Sequence, residues 1–239
     1  MATTININGS VLGRKFEGIG GVTSNGMTKL LHEYPTDQQS DILDMLFKPK
    51  HGASFHQLKV EIGSDANGTC GTEPSHMRSE TDFDITRGVG LWMAREAKDR
   101  NPDIILDAIR WGTPKWLTDT NKKYTFYKNF LQGARDSFNL EFNFLAPDEN
   151  EGSYSRNWVV NTLRPNLNND GFSSVKLTGA DSTTDWNIAS LVNSDQALKN
   201  SLYAINAHYK QDSPDNAKNC GLPIFDSEDI VAYRHKFSS

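Results

Sequence analysis

Apolar positions along this chain fall into two spacings. Short, dense hydrophobic runs recur at residues 16–23, 54–63, 104–109, 141–146, 175–181, 202–209 and 222–229, most of them closed by glycine, proline or a cluster of acids. Runs of that length and composition predict strands. Between them apolar residues return every three or four positions, as Ile42, Leu43, Leu46 and Phe47 do. That period predicts helices over 36–47, 88–100, 122–137, 156–163 and 186–198. Residues 4–7 read as a further short strand ahead of a glycine turn. Residues 64–86 read as a polar loop too long to be a plain connector.

Strands alternating with helices predict a parallel sheet, and right-handed crossovers roll such a sheet into a barrel. The expected fold is therefore α/β, a (β/α)8 TIM barrel over residues 16–239, with residues 1–15 standing outside it. Seven strands are present, and too little chain follows the seventh for the last helix, strand and helix, so the barrel is expected to be cut short. Barrel enzymes keep their chemistry at the carboxyl ends of the strands. Two acids fall there: Glu151, in Pro147-Asp148-Glu149-Asn150-Glu151-Gly152 after the fourth strand, and Glu228 at the end of the seventh. Facing each other at about 5 Å, they would form the pair of a retaining glycosidase, one as acid/base and one as nucleophile. Each acid alone reads as a solvated loop residue, and only the pairing of two strand ends favours chemistry.

The 239 residues suffice for one domain with a substantial core. A net charge of −5 offers no basic field for nucleic acid, and no apolar run approaches the roughly 20 residues needed to cross a bilayer. The start of the chain lacks the charged and apolar regions of a signal peptide. Two sequons, Asn8-Gly9-Ser10 and Asn67-Gly68-Thr69, fit a secreted glycoprotein. The two cysteines, Cys70 and Cys220, fall at opposite ends of the expected barrel and read as free thiols. The histidines at 32, 51, 56, 76, 208 and 235 show no metal-ligand spacing such as H-E-x-x-H. Asp148-x-Asn150 departs from a calcium loop at Gly152 and Val159, and no Gly-x-Ser-x-Gly elbow supports a serine triad. Thr23 stands where a dinucleotide fingerprint beginning at Gly18 needs its third glycine. No metal or cofactor is expected. Trp111, just past a strand end, reads either as a stacking platform for a sugar or as core. Thr72 reads either as a residue lining a site or as a loop cap, the second being favoured by turn chemistry.

Several stretches resemble the galactocerebrosidase family of retaining glycoside hydrolases, whose two catalytic glutamates end strands four and seven. They include Phe16-Glu17-Gly18-Ile19-Gly20, Leu58-Lys59-Val60-Glu61-Ile62-Gly63, the long and unusual Gly71-Thr72-Glu73-Pro74-Ser75-His76-Met77, and Ala207-His208-Tyr209. The resemblance implies that Glu151 is the acid/base and Glu228 the nucleophile, and that Thr72, Trp111 and Asn150 contact galactose. It implies a terminal β-galactoside as substrate, galactosylceramide-like glycolipids among them, with no metal. It also implies a lysosomal or secreted setting in sphingolipid metabolism, and a small saposin-like lipid-presenting protein as partner. A truncated, inactive relative that at most holds carbohydrate is the alternative. This chain has Glu149 where the family has an aromatic residue and Gly152 where it has an arginine. Nothing here matches the family's eighth strand, its downstream sugar-binding arginine, or its β-sandwich and lectin-like domains. Residues 3–7 resemble the opening strand of that sandwich.

Overall fold

The computed structural model describes residues 4–13, 15–23, 26–68, 71–182, 185–209 and 212–229. Seven strands pair in parallel in chain order: β1 (Gly20–Thr23), β2 (Gln57–Ile62), β3 (Ile105–Arg110), β4 (Phe144–Glu149), β5 (Lys176–Ser182), β6 (Ala204–His208) and β7 (Ile224–Glu228). β1 and β7 form the edges of this sheet. The expected α/β class and parallel order are thus present, in a sheet of seven strands.

The sheet is not flat. At about 4.8 Å per strand, β2 would lie about 14 Å from β5, and β4 as far from β7. Instead the Lys59 ammonium on β2 meets Asp181 on β5 at 2.6 Å, and the rings of Phe144 on β4 and Phe225 on β7 are 5.7 Å apart. The sheet curls, and its concave face encloses side chains in layers. Phe144, Tyr203 and Phe225 pack together at the amino-terminal end. Above them lie Lys59, Asp107, Asp181 and Asn206, all buried.

The convex face carries the alternate residues of the same strands, Leu58, Val60, Leu106, Ala108, Leu145, Leu177 and Ile205, in one core with the helices. Helix α1 (Thr36–Phe47) buries Leu43 and Phe47, four residues apart. Helix α2 is Gly90–Arg100. Helix α3 (Thr120–Phe138) starts where the Asp119 side chain accepts the Asn121 and Lys122 amides and stops at Asn139 in the left-handed conformation. Each fully buried leucine or phenylalanine contributes about 2–3 kcal/mol.

Five expectations change. Residues 4–7 form no strand, and Ile5 and Ile7 are exposed; alternation alone makes no strand where no described strand pairs with it. The fourth strand runs on through Pro147 to Glu149. Glu151 therefore sits one turn further on rather than at the strand's end. The helix expected to end near Leu163 continues to Asn169, through a wide turn at Val159–Leu163 that precedes Pro165; a wider turn accommodates a ring that would clash in a regular helix. The single helix expected over 186–198 is two, Asn187–Ser194 and Gln196–Ser201. Asp195 breaks it, in an extended conformation, by capping Leu198 and pairing with Arg156 at 2.6 Å. Part of the polar loop 64–86 forms a two-residue hairpin, Asn67–Gly68 with Gly71–Thr72. Cys220 is a buried free thiol ahead of β7, and Cys70 lies outside the described residues, as does His235.

Candidate active site

The site begins in the strand alternation itself. In Leu58-Lys59-Val60-Glu61-Ile62 every second residue is charged, yet all five are buried. The charges face the concave side, where Lys59 and Asp107 are register partners on β2 and β3. Asp181 stands at the centre. Its Oδ1 accepts from Lys59 Nζ at 2.6 Å, Ser227 Oγ at 2.9 Å and Asn206 Nδ2 at 3.2 Å, and His208 Nε2 lies 3.0 Å from the same oxygen. Burial alone would raise the Asp181 carboxyl, but the Lys59 ammonium and the His208 bond outweigh it and hold the group well below the usual carboxylate range.

With Nε2 on the Asp181 carboxylate, the ring of His208 directs Nδ1 to the carboxyl rim. It lies 3.1 Å from Glu228 Oε2 and 3.6 Å from Glu151 Oε1. His208 is fully buried, and neither its Nδ1 nor Glu228 Oε2 makes a hydrogen bond among the described residues. One atom from each of Glu151, His208 and Glu228 lies within 4.8 Å of the other two.

The two glutamates differ in setting. Glu228, on a strand, is 16% exposed, and Glu151 is 41% exposed. Burial pushes the Glu228 carboxyl above its ordinary value, with His208 and Lys59 opposing and Glu151 adding to the rise. Glu151 sits at φ +56°, on a turn in which its amide donates to the Asp181 carbonyl at 3.2 Å and Gly152 N donates back to Glu149 O at 2.9 Å. Asp181 and Tyr209 are also left-handed, at φ +51° and +55°. Three non-glycine residues in that region, at the carboxyl ends of β4, β5 and β6, concentrate backbone strain where the acids meet. The Tyr209 hydroxyl, pushed up to about 12 by burial and by Glu228 and Glu151, lies 3.5 Å from Glu151 Oε1 as a donor.

The other expected residues border the same rim. The Asn150 amide donates to Arg110 O at 2.7 Å, and its Oδ1 is a buried acceptor without a partner. Trp111 is half-buried directly after β3, with no bond or ring contact to either glutamate among the described residues. Thr72 is exposed in the hairpin past β2. Glu149 is engaged by Arg110 and by the Thr113 hydroxyl. Arg110 itself is buried against Tyr127 and the Gly112 carbonyl. His208, Asp181, Lys59, Asn206 and Asp107 were not among the expected site residues. For Lys59, with Glu61, and for Asn206, with His208, the signal in the sequence is a polar residue at every second position of an otherwise apolar strand; Asp107 and Asp181 show no such alternation.

Asp107 gives a test of this interior. Burial pushes its carboxyl up to about 7, against the pull of Lys59 and with Asp181 adding to the rise. The folded chain then holds the Asp107 proton more tightly than the unfolded chain does. That contribution to stability is complete below about pH 3.9 and is lost as pH rises to about 7. Urea unfolding between pH 4 and 8 is expected to show the parent losing up to roughly 4 kcal/mol over this window, and Asp107→Asn losing little. A variant whose stability falls in parallel with the parent's would contradict the assignment.

The chain matches the family model described as "Glycosyl hydrolase family 59" over residues 16–238. It is 40% identical over 230 residues to the galactocerebrosidase of Mus musculus, covering 92% of this chain and 33% of that protein. To the galactocerebrosidase of Danio rerio it is 39% identical over 207 residues, covering 83% and 31%. It thus spans about a third of the length of these relatives. Among solved structures, a conserved exported protein from Bacteroides fragilis matches with a TM-score of 0.74 at 15% identity, over 92% of this chain and 62% of that one. The catalytic domain of a GH30 xylanase from Talaromyces cellulolyticus matches with a TM-score of 0.66 at 16% identity, over 84% and 55%. At such identities these structures show the fold alone.

Proposed function

The chain belongs to glycosyl hydrolase family 59, and from that membership we propose that it carries the catalytic pair of a retaining hydrolase of terminal β-galactosides. The observation that carries this reading is the meeting of Glu151 and Glu228, with oxygens within 4.8 Å although they leave the sheet three strands apart. Retaining enzymes hold their carboxyl groups about 5–5.5 Å apart, whereas inverting ones need about 6.5–9.5 Å for an intervening water. The seven strands are read as seven of the eight of a (β/α)8 barrel, whose carboxyl face the pair occupies.

In the proposed mechanism a Glu228 oxygen attacks the anomeric carbon while Glu151 donates its proton to the departing oxygen. A galactosyl ester forms and the aglycone leaves as an alcohol. Glu151, now ionised, takes a proton from water, whose oxygen displaces Glu228 and restores the β configuration. The Tyr209 hydroxyl steadies Glu151, and the buried ring of His208 packs beside both carboxylates. Asn150, Thr72 and Trp111 are the proposed galactose contacts, the unpartnered Asn150 Oδ1 being suited to accept a sugar hydroxyl. By kinship with the galactocerebrosidases, the proposed substrates are galactosylceramide-like glycolipids of the lysosome, delivered by a saposin-like protein. No helix among the described residues is long and apolar enough to cross a membrane. A second reading, a relative that only holds carbohydrate, draws support from the two edges, β1 and β7, which pair with no further strand among the described residues.

Glu151→Gln separates the two. The variant is expected to lose about 10²–10⁴-fold in turnover of aryl β-galactosides with poor leaving groups, and far less with a dinitrophenyl group that departs without a proton. A parent chain that cleaves none of these substrates supports the binding reading. A loss independent of the leaving group removes Glu151 from the role of acid.

A further inference from the structure

Three groups that can each offer a ligand atom converge at this site, and the contact of His208 Nε2 with Asp181 fixes the ring so that Nδ1 faces the two glutamates. From that convergence we infer that Glu151, His208 and Glu228 form a binding site for a divalent transition-metal ion of the zinc type, and that the ion blocks hydrolysis. The inhibitory consequence rests on the proposed galactosidase mechanism, whereas the binding does not.

The geometry fits such an ion. In a tetrahedral zinc site with ligands at about 2.0–2.2 Å, ligand atoms lie about 3.3–3.6 Å from one another. Here Nδ1 is 3.1 Å from Glu228 Oε2 and 3.6 Å from Glu151 Oε1, and no pair in the triad exceeds 4.8 Å. Glu151 is the exposed member, with room to close the remaining gap. The triad is more than a cluster of acids, because the imidazole is fully buried and its Nδ1, with no hydrogen-bond partner, faces both carboxylates. Asp181 stands behind His208 as carboxylates stand behind metal-bound histidines, fixing tautomer and ring angle. Two carboxylates neutralise a divalent ion, and an imidazole among three ligands selects zinc or copper over magnesium or calcium, which prefer oxygen alone. A metal held there ties up the oxygen that attacks the sugar and the oxygen that carries the proton, so it opposes turnover.

Calorimetric titration of the whole chain with zinc chloride at pH 7, with magnesium chloride in parallel, tests the site without any assay of activity. One zinc ion per chain is expected, with magnesium bound at least tenfold more weakly. Glu151→Gln and Glu228→Gln are each expected to weaken zinc at least tenfold, circular dichroism confirming that each variant is folded. Glu151 is exposed, so its variant decides the matter even if the Glu228 variant fails to fold. Absence of zinc binding, zinc bound equally by the Glu151 variant and the parent, or magnesium bound as tightly as zinc would each overturn the site. Zinc binding in a chain that cleaves no galactoside would leave the site standing and remove the proposed function.

Discussion

Glu228→Ala is expected to lower turnover of an aryl β-galactoside by at least about 10³-fold, or about 4 kcal/mol of transition-state stabilisation. Azide added to the variant should then restore release of the aryl group and yield an α-galactosyl azide. The product follows from geometry. With the carboxylate gone, a small anion enters from the vacated face and displaces the aglycone once, which inverts the anomeric centre. In Glu151→Ala the ester to Glu228 still forms from a substrate with a good leaving group, and azide attacks that ester, so two inversions give the β azide. The two product configurations assign the roles independently of how far each rate falls. A β azide from the Glu228 variant would reverse the assignment. The same carboxyl sets the acid limb of the pH profile. Burial holds Glu228 above its ordinary value, and a nucleophile must be ionised. The kcat/KM of the parent is therefore expected to fall, as pH is lowered, before an ordinary carboxylate would protonate.

The second large effect is on stability. Lys59→Met should destabilise the chain by about 3–5 kcal/mol, because it removes the cation from a pair whose side chains are 9% and 3% exposed and leaves Asp181 buried with neutral donors alone. Asp181→Asn should cost less, because Asp107, freed of its like-charged neighbour, can ionise beside the Lys59 ammonium. In urea unfolding the double variant should be less damaged than the sum of the two, since it leaves neither charge unmatched. Additive losses, or single losses below about 1 kcal/mol, would show that the pair is not coupled as its geometry implies. The sign with pH follows from Asp181, which is held below its unfolded value. Its contribution is full above about pH 3.9 and is lost as pH falls through the native value. Asp181→Asn also loosens the hold on the Nε2 side of His208, so that variant should bind zinc more weakly as well.

Some of this was legible in the residues. Dense apolar runs and a period of three to four positions located all seven strands and the long helices, since burial on one face or both is a local pattern. The acids at strand ends pointed to Glu151 and Glu228. Where the reading failed, a partner distant in sequence intervened. Residues 4–7 alternate as a strand does but have no described strand to pair with, and Asp195 divides a helix because Arg156 and the Leu198 amide compete for it. His208 lies in no metal-ligand spacing along the chain, because such spacings describe ligands on one helix or one loop. Glu151, His208 and Glu228 meet only because the carboxyl ends of β4, β6 and β7 share a rim.

What the sequence determined by itself is the order of elements and which strand positions are buried, because these follow from spacing along one chain. The tertiary structure alone decided the curl that brings β2 against β5 and β4 against β7, and with it the chemistry. Which charge neutralises Asp181, which way His208 turns its ring nitrogens and how closely two glutamates approach are set by distances across the concave face. No local pattern encodes those distances, since they are fixed by how much a twisted parallel sheet must bend to bury its interior.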